Sequence, residues 1–189
     1  GTSNVLTGKL FNIPVLGTMA HSWVQMFDTE LEAFKAFAKS FPNNCVLLVD
    51  TYNTLQSGIP NAIKTFDEIL KPMGIRPKGI RLDSGDLAYL SKQARKMLDN
   101  AGYEDAQIVV SNSLDEYTIR DLLHQEAKID SFGIGERLIT SKTHPVFGGV
   151  YKLVAIEENG KIIWNIIKDV TGLTNEVKSS SGEMLADGE

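Results

Sequence analysis

The run VLGTMAHSWVQMF, residues 15–27, sets His21 among Gly17, Thr18, Ala20 and Ser22. Small neighbours leave room for a large ligand in front of an imidazole. Such a histidine is either a hydrogen-bonded structural residue or a nucleophile or base. A second chemical cluster is GIRLDSGDL, residues 79–87. Alternation along a strand puts Arg81 and Asp83 on one face and Ile80 and Leu82 on the other, so a guanidinium and a carboxylate reach the strand end together. One reading is an Arg81–Asp83 ion pair with Ser84 or Asp86 capping the next helix. The other is that Arg81 holds an anionic group while Asp83 binds sugar hydroxyls or a magnesium-bound phosphate. In GIGERLITS, residues 133–141, Gly133 and Gly135 let a backbone approach a ligand closely. Successive amides there make either a phosphate cradle or an ordinary turn.

The elements that position these groups alternate. Short apolar runs of strand length recur at 13–18, 45–50, 78–83, 107–112 and 130–135. Between them lie helical patterns. The first runs from Trp23 to Phe41, with Trp23, Phe27, Leu31, Phe34, Ala38 and Phe41 forming one apolar face. Others span about 60–70, 86–100 and 113–125, the last with Ser113 and Glu116 at capping-box spacing. Alternation of this kind predicts right-handed parallel βα units, in an open doubly wound sheet or in part of a closed barrel. In either architecture ligands meet the carboxyl ends of the strands. Five polar clusters fall there, at Thr18–Ser22, Asp50–Asn53, Arg81–Asp86, Ser111–Ser113 and Gly133–Arg137, and are expected to converge on one site.

The 189 residues, 42% of them hydrophobic and 23% charged, suit a soluble α/β protein or a large piece of one. No apolar run has the length of a membrane span, and a net charge of -5 disfavours a nucleic-acid surface. The single cysteine, Cys45, opens the apolar run CVLLVD, which predicts core packing and a reducing, cytoplasmic location. Residues 1–147 are read as a partial α/β barrel carrying the site. Residues 148–168 read as a β-hairpin leading to a second domain, turning around Glu157–Gly160. The polar segment 169–189 reads as a disordered or truncated tail, and the chain as part of a longer enzyme.

Taken together, GTSN (1–4), GTMAHSW (17–23), DTYNT (50–54), RLDSGDL (81–87), VVSNSLDE (109–116), FGIGERLIT (132–140) and GGVYKLV (148–154) resemble the central part of nicotinate phosphoribosyltransferases. The resemblance is colinear from residue 1 to about residue 168. It implies an atypical α/β barrel of the type II phosphoribosyltransferase kind. It also implies formation of nicotinate mononucleotide and pyrophosphate from nicotinate and phosphoribosyl pyrophosphate, with coupled ATP hydrolysis and Mg²⁺. In this family the histidine of the AHS motif, here His21, is transiently phosphorylated. By the same resemblance Ser3 and Arg81 contact the nicotinate carboxylate and Asp83 the ribose. Ser111, Asn112, Gly133 and Gly135 contact phosphates, and Asp83 or Asp86 is the expected carboxylate for Mg²⁺.

The family's N-terminal part, which stacks on the pyridine and completes the site across a homodimer, has no counterpart in these residues, so the chain by itself is expected to be inactive. Residues 169–189 depart from the basic, proline-containing pattern of the family. Rival readings are a nicotinamide-using relative, which carries an acidic residue where Ser3 stands, a sugar-phosphate lyase or isomerase, and a non-catalytic barrel module. No strand ends in the lysine that a Schiff-base lyase needs.

Overall fold

The computed structural model describes residues 1–140, 143, 155–164, 177–178 and 184–185. The chain divides into two compact units, Gly1–Gly148 and Gly149–Glu189. The first is built on four parallel strands, β1 (Val46–Leu48), β2 (Gly79–Leu82), β3 (Gln107–Val110) and β4 (Ser131–Phe132), in the spatial order β1-β2-β3-β4. Leu48 lies opposite Arg81, Arg81 opposite Val109, and Val110 opposite Phe132. The order never reverses, as it would at the switch point of a doubly wound sheet. This progression is that of a barrel wall.

β1 is buried throughout, whereas in β2 and β3 the wholly buried Ile80, Leu82, Ile108 and Val110 alternate with the half-buried Arg81 and Val109, giving a core face and a more open face. Helices cover them. These are α1 (Val5–Phe11), α2 (His21–Gln25), α3 (Glu30–Ser40), α4 (Ile59–Thr65), α5 (Leu87–Asn100), α6 (Glu116–His124) and α7 (Glu136–Ile139). Wider π-helical turns at Thr54–Gly58 and Phe66–Leu70 flank α4, so the helical segment read at 60–70 is longer than its apolar pattern. In the second unit, β5 (Ala155–Glu158) and β6 (Lys161–Trp164) pair antiparallel across Asn159 and Gly160, with φ of 53° and 75°. Positive φ at both turn residues is what a two-residue Asn-Gly hairpin requires. Two short strands, β7 (Val177–Lys178) and β8 (Met184–Leu185), also pair antiparallel. The rest of segment 169–189 lies outside the described residues.

Three expectations are corrected. Residues 13–18 form no strand, because Pro14 offers no amide hydrogen and the segment makes only one bridge, Val15 with Thr2. The stretch from Trp23 to Phe41 is two helices, not one. Thr29 begins the second, accepting a hydrogen bond from the Glu32 amide while the Glu32 carboxylate accepts from the Thr29 amide. The apolar face still forms, with Val24, Phe34, Phe37 and Ala38 in the core and Trp23 Nε1 donating to the Ala33 carbonyl at 3.2 Å. Finally, α6 is capped by Asp115 rather than Ser113, which sits at φ 44° in the turn before it.

Gly58 fixes the loop after β1. A Cβ at this position would lie 1.8 Å from the Val49 carbonyl oxygen, although the backbone itself is helical with φ -57°. Helix propensity alone would favour alanine by about 1 kcal/mol. Here backbone overlap decides, and Gly58→Ala is expected to destabilise the fold by about 3 kcal/mol. A drop in the urea midpoint at unchanged m-value checks this; an unchanged or raised midpoint would contradict the close approach.

Candidate active site

Three strand ends and the segment before α2 meet around Arg81. Its Nε donates to Ser111 Oγ at 2.8 Å, Nη1 to Thr18 Oγ1 at 3.1 Å and to the Met19 carbonyl at 3.4 Å, and Nη2 to Asp83 Oδ1 at 2.9 Å. One guanidinium therefore ties β2 to the end of β3 and to the residues that lead into His21. Four of its five N–H groups are engaged in these bonds. Ser111 Oγ donates in turn to Asp83 Oδ1.

Asp50, at the end of β1, is almost fully buried. Its Oδ2 accepts from the Asp83 amide at 3.1 Å and from the Ser84 hydroxyl, so the loops after β1 and β2 are bound to each other. His21 opens α2 against this floor. Its Nδ1 shares a 3.0 Å hydrogen bond with Thr51 Oγ1, while Nε2 lies 3.5 Å from Asp83 Oδ2 and 3.8 Å from Asp50 Oδ1. Burial opposes ionisation of Asp83. Bonds from His21 and Ser111 and the charge of Arg81 outweigh it and hold the carboxyl well below its usual 3.8.

Thus His21, Arg81, Asp83 and Ser111 form one hydrogen-bonded cluster. The other expected site residues stand differently. Asp86 is exposed and caps α5, accepting from the Tyr89 amide at 3.0 Å. The ion pair and the helix cap read for GIRLDSGDL are both present, the cap being Asp86. Gly133 borders Ser111, and its amide donates to the Val110 carbonyl at 2.7 Å. Asn112 is exposed, with φ 108° in a region that favours glycine. Ser3 and Gly135 are exposed, and no bond joins either to the cluster. His124 is exposed on α6, and His144 lies outside the described residues. Convergence thus holds for four of the five polar clusters through Thr18, Asp50, Thr51, Asp83 and Ser111. The parts played by Asp50 and Thr51 were legible only as polarity at strand ends; Thr18, read as a small neighbour of His21, accepts from Arg81, and Ser84, read as an alternative cap, donates to Asp50 instead.

Behind this floor, Glu30 is buried at the start of α3, accepting from Asn61 Nδ2 at 2.9 Å. Burial pushes its carboxyl above the usual 4.5; bonds from Asn61 and Ser57 oppose the rise, and the charge of Asp50 adds to it. A raised folded-state value means that the folded state binds the proton more tightly than the unfolded chain. The stability this gives is complete below about 4.5 and is lost as pH rises through the raised value. Glu30→Gln should therefore be more stable than wild type at pH 7, with the advantage shrinking towards pH 4. Denaturation midpoints across that range check the prediction, and a pH-independent difference would contradict it. Cys45 is buried, and its thiol is pushed up to about 12 by burial, as suits a packing residue rather than a nucleophile.

Among the described residues, no helix is long and apolar enough to cross a membrane. Residues 1–184 match the model of the nicotinate phosphoribosyltransferase (NAPRTase) family. The chain is 57% identical over 164 residues to nicotinate phosphoribosyltransferase of Bacillus subtilis (strain 168), covering 86% of this chain and 32% of that protein. It is 32% identical over 208 residues to the Homo sapiens nicotinate phosphoribosyltransferase, covering 82% of this chain and 38% of that protein. The crystal structure of human nicotinic acid phosphoribosyltransferase superposes with a TM-score of 0.64 at 30% identity, over 70% of this chain and 37% of that one. This chain spans about a third of the length of these relatives. The fold is that of the type II phosphoribosyltransferases, and the chain belongs to the nicotinate phosphoribosyltransferase family.

Proposed function

We propose that the protein joins nicotinate to phosphoribosyl pyrophosphate, forming nicotinate mononucleotide and pyrophosphate in the biosynthesis of NAD, with ATP hydrolysis coupled through phosphorylation of His21. The observation that carries this reading is the single cluster of His21, Arg81, Asp83 and Ser111 at the ends of β2 and β3. Ribosyl transfer develops positive charge on the sugar as pyrophosphate departs. A site for it must anchor phosphates, hold the sugar and fix the base opposite the reacting carbon. In a chain of net charge -5 these tasks fall to local devices.

Asp83, kept ionised, is suited to the ribose hydroxyls and to stabilising positive charge near the sugar. The remaining N–H of Arg81 faces the nicotinate carboxylate, with Ser3 and its loop completing the donors. Ser111, Asn112 and the amides around Gly133 and Gly135 take the phosphates. A ring nitrogen of His21 attacks the γ-phosphorus of ATP as its bond to the β,γ-bridging oxygen breaks and ADP leaves. Water later takes the phosphoryl group as inorganic phosphate, and the small residues Gly17, Ala20 and Ser22 leave space before the ring.

Among the described residues, no group of three or more His, Cys, Asp or Glu side chains is arranged to hold a metal ion. Mg²⁺ fits a different pattern, in which one or two carboxylates supplement waters and substrate phosphates. Asp83 and Asp86 are the carboxylates that would supply this role: Asp83 lies in the cluster with Arg81, Ser111 and His21, and Asp86 is exposed and gives one oxygen to the Tyr89 amide. When bound, the ion supplies charge neutralisation of the leaving pyrophosphate. The setting is cytoplasmic and the working form a homodimer. The test is nucleotide formation by the polypeptide that contains this chain, with nicotinate or nicotinamide, each with and without ATP. Nicotinate mononucleotide formed faster with ATP supports the reading. No product, or equal use of nicotinamide, overturns it.

A further inference from the structure

We propose that Thr51 is the positioning residue that sets the ring rotation of His21. The inference rests on the reading of His21 as the phosphoryl acceptor. An imidazole turned by half a revolution about its Cβ–Cγ bond occupies nearly the same space, but carbon atoms replace both nitrogens at their places. Shape alone does not choose between these rotations, so hydrogen bonds must. On one side of the ring that bond is the 3.0 Å contact between Nδ1 and Thr51 Oγ1. On the other side, Asp83 and Asp50 stand 3.5 and 3.8 Å from Nε2, so the bond that Asp83 accepts from the ring is longer and weaker than the one at Thr51. Thr51 therefore makes the closest polar contact to the ring.

The hydroxyl is itself held in place. Thr51 is 4% exposed and follows Asp50, whose Oδ2 is bonded to the Asp83 amide and to Ser84. Just before them, the Val49 amide donates to the Arg81 carbonyl at 3.1 Å, and Gly58 packs directly on the Val49 carbonyl. A short, buried and doubly anchored segment thus delivers one hydroxyl to one ring nitrogen. Because Asp83 is bound to Arg81 and Ser111, the ring it faces is registered to the same frame as the proposed substrate groups. A net hydrogen bond of about 1 kcal/mol biases the two rotations by roughly five-fold.

The experiment compares Thr51→Val, which keeps the shape and removes the hydroxyl, with Thr51→Ser, which keeps the hydroxyl. Two readouts are needed: the ring nitrogen resonances of His21 by ¹⁵N NMR, assigned with His21→Gln, and the ATP-dependent part of kcat. The expected result is a shifted Nδ1 resonance and a roughly five- to ten-fold lower ATP-dependent rate in Thr51→Val, with KM for nicotinate unchanged and both properties restored in Thr51→Ser. A merely structural role would lower thermal stability and leave the Nδ1 resonance where it was. An unchanged Nδ1 resonance in Thr51→Val overturns the proposal, and so does a shifted resonance with full ATP coupling. If wild-type His21 takes no phosphate at all, the failure belongs to the reading of His21, and the resonance still decides whether Thr51 sets the ring.

Discussion

Arg81→Ala should lower kcat/KM for nucleotide formation by about 1,000-fold. The side chain holds Ser111, Thr18, the Met19 carbonyl and Asp83 with four N–H groups, so its loss unfastens the end of β3 and the approach to α2 together. Hydrogen bonds to charged groups contribute about 2 kcal/mol each. Losing two that matter in the transition state amounts to about 4 kcal/mol, or roughly a thousand-fold. Lysine should rescue little, because one ammonium cannot reproduce a planar fork aimed at three elements. Removing the charge also removes one of the forces that hold Asp83 ionised against burial, so the carboxyl should titrate at higher pH. The acid limb of the pH–rate profile should move up accordingly. A loss below ten-fold with an unmoved acid limb would show that the cluster is structural rather than catalytic.

His21→Ala should abolish the ATP-dependent increment in rate while leaving a slow, ATP-independent transfer. Arg81, Asp83 and Ser111 bond to one another without the imidazole, so both substrates should still bind, and KM for nicotinate should change by less than about three-fold. The signature is in the coupling: ATP should cease to accelerate product formation, and product formation should cease to accelerate ATP hydrolysis. Steady-state rates of both, measured on one preparation, check this. An equal fall with and without ATP would mean that His21 holds the site together and does not carry phosphate.

β2 and β3 could be read because short runs rich in Ile, Leu and Val, ending in polar residues, stand out between helical patterns. The run at 13–18 has the same look without the same surroundings: Val15 and Leu16 are exposed, and Pro14 cannot join a ladder. Apolar composition marks burial only when a neighbouring strand supplies it. The break between α2 and α3 was written in Thr29 and Glu32, but a continuous apolar face across Trp23–Phe41 concealed it, since the core sees the same stripe on either side of a short turn. Within the site, the pairing of Arg81 with Asp83 followed from strand alternation. The contacts from Asp50 to Ser84 and from Thr51 to His21 did not, because they depend on how neighbouring loops fold over each other, 34 and 30 residues apart in the chain. Ser3 and Gly135 were legible only through the resemblance, since neither makes a bond to the cluster and the roles proposed for them are toward substrate.

The most direct test of the account is to incubate the polypeptide that contains this chain with γ-labelled ATP and locate the label. Wild type should take up an acid-labile, alkali-stable phosphoryl group on the peptide that carries His21, and His21→Ala should take up none. Label that persists in His21→Ala, or wild-type protein that takes up none while ATP accelerates nucleotide formation, would contradict the account.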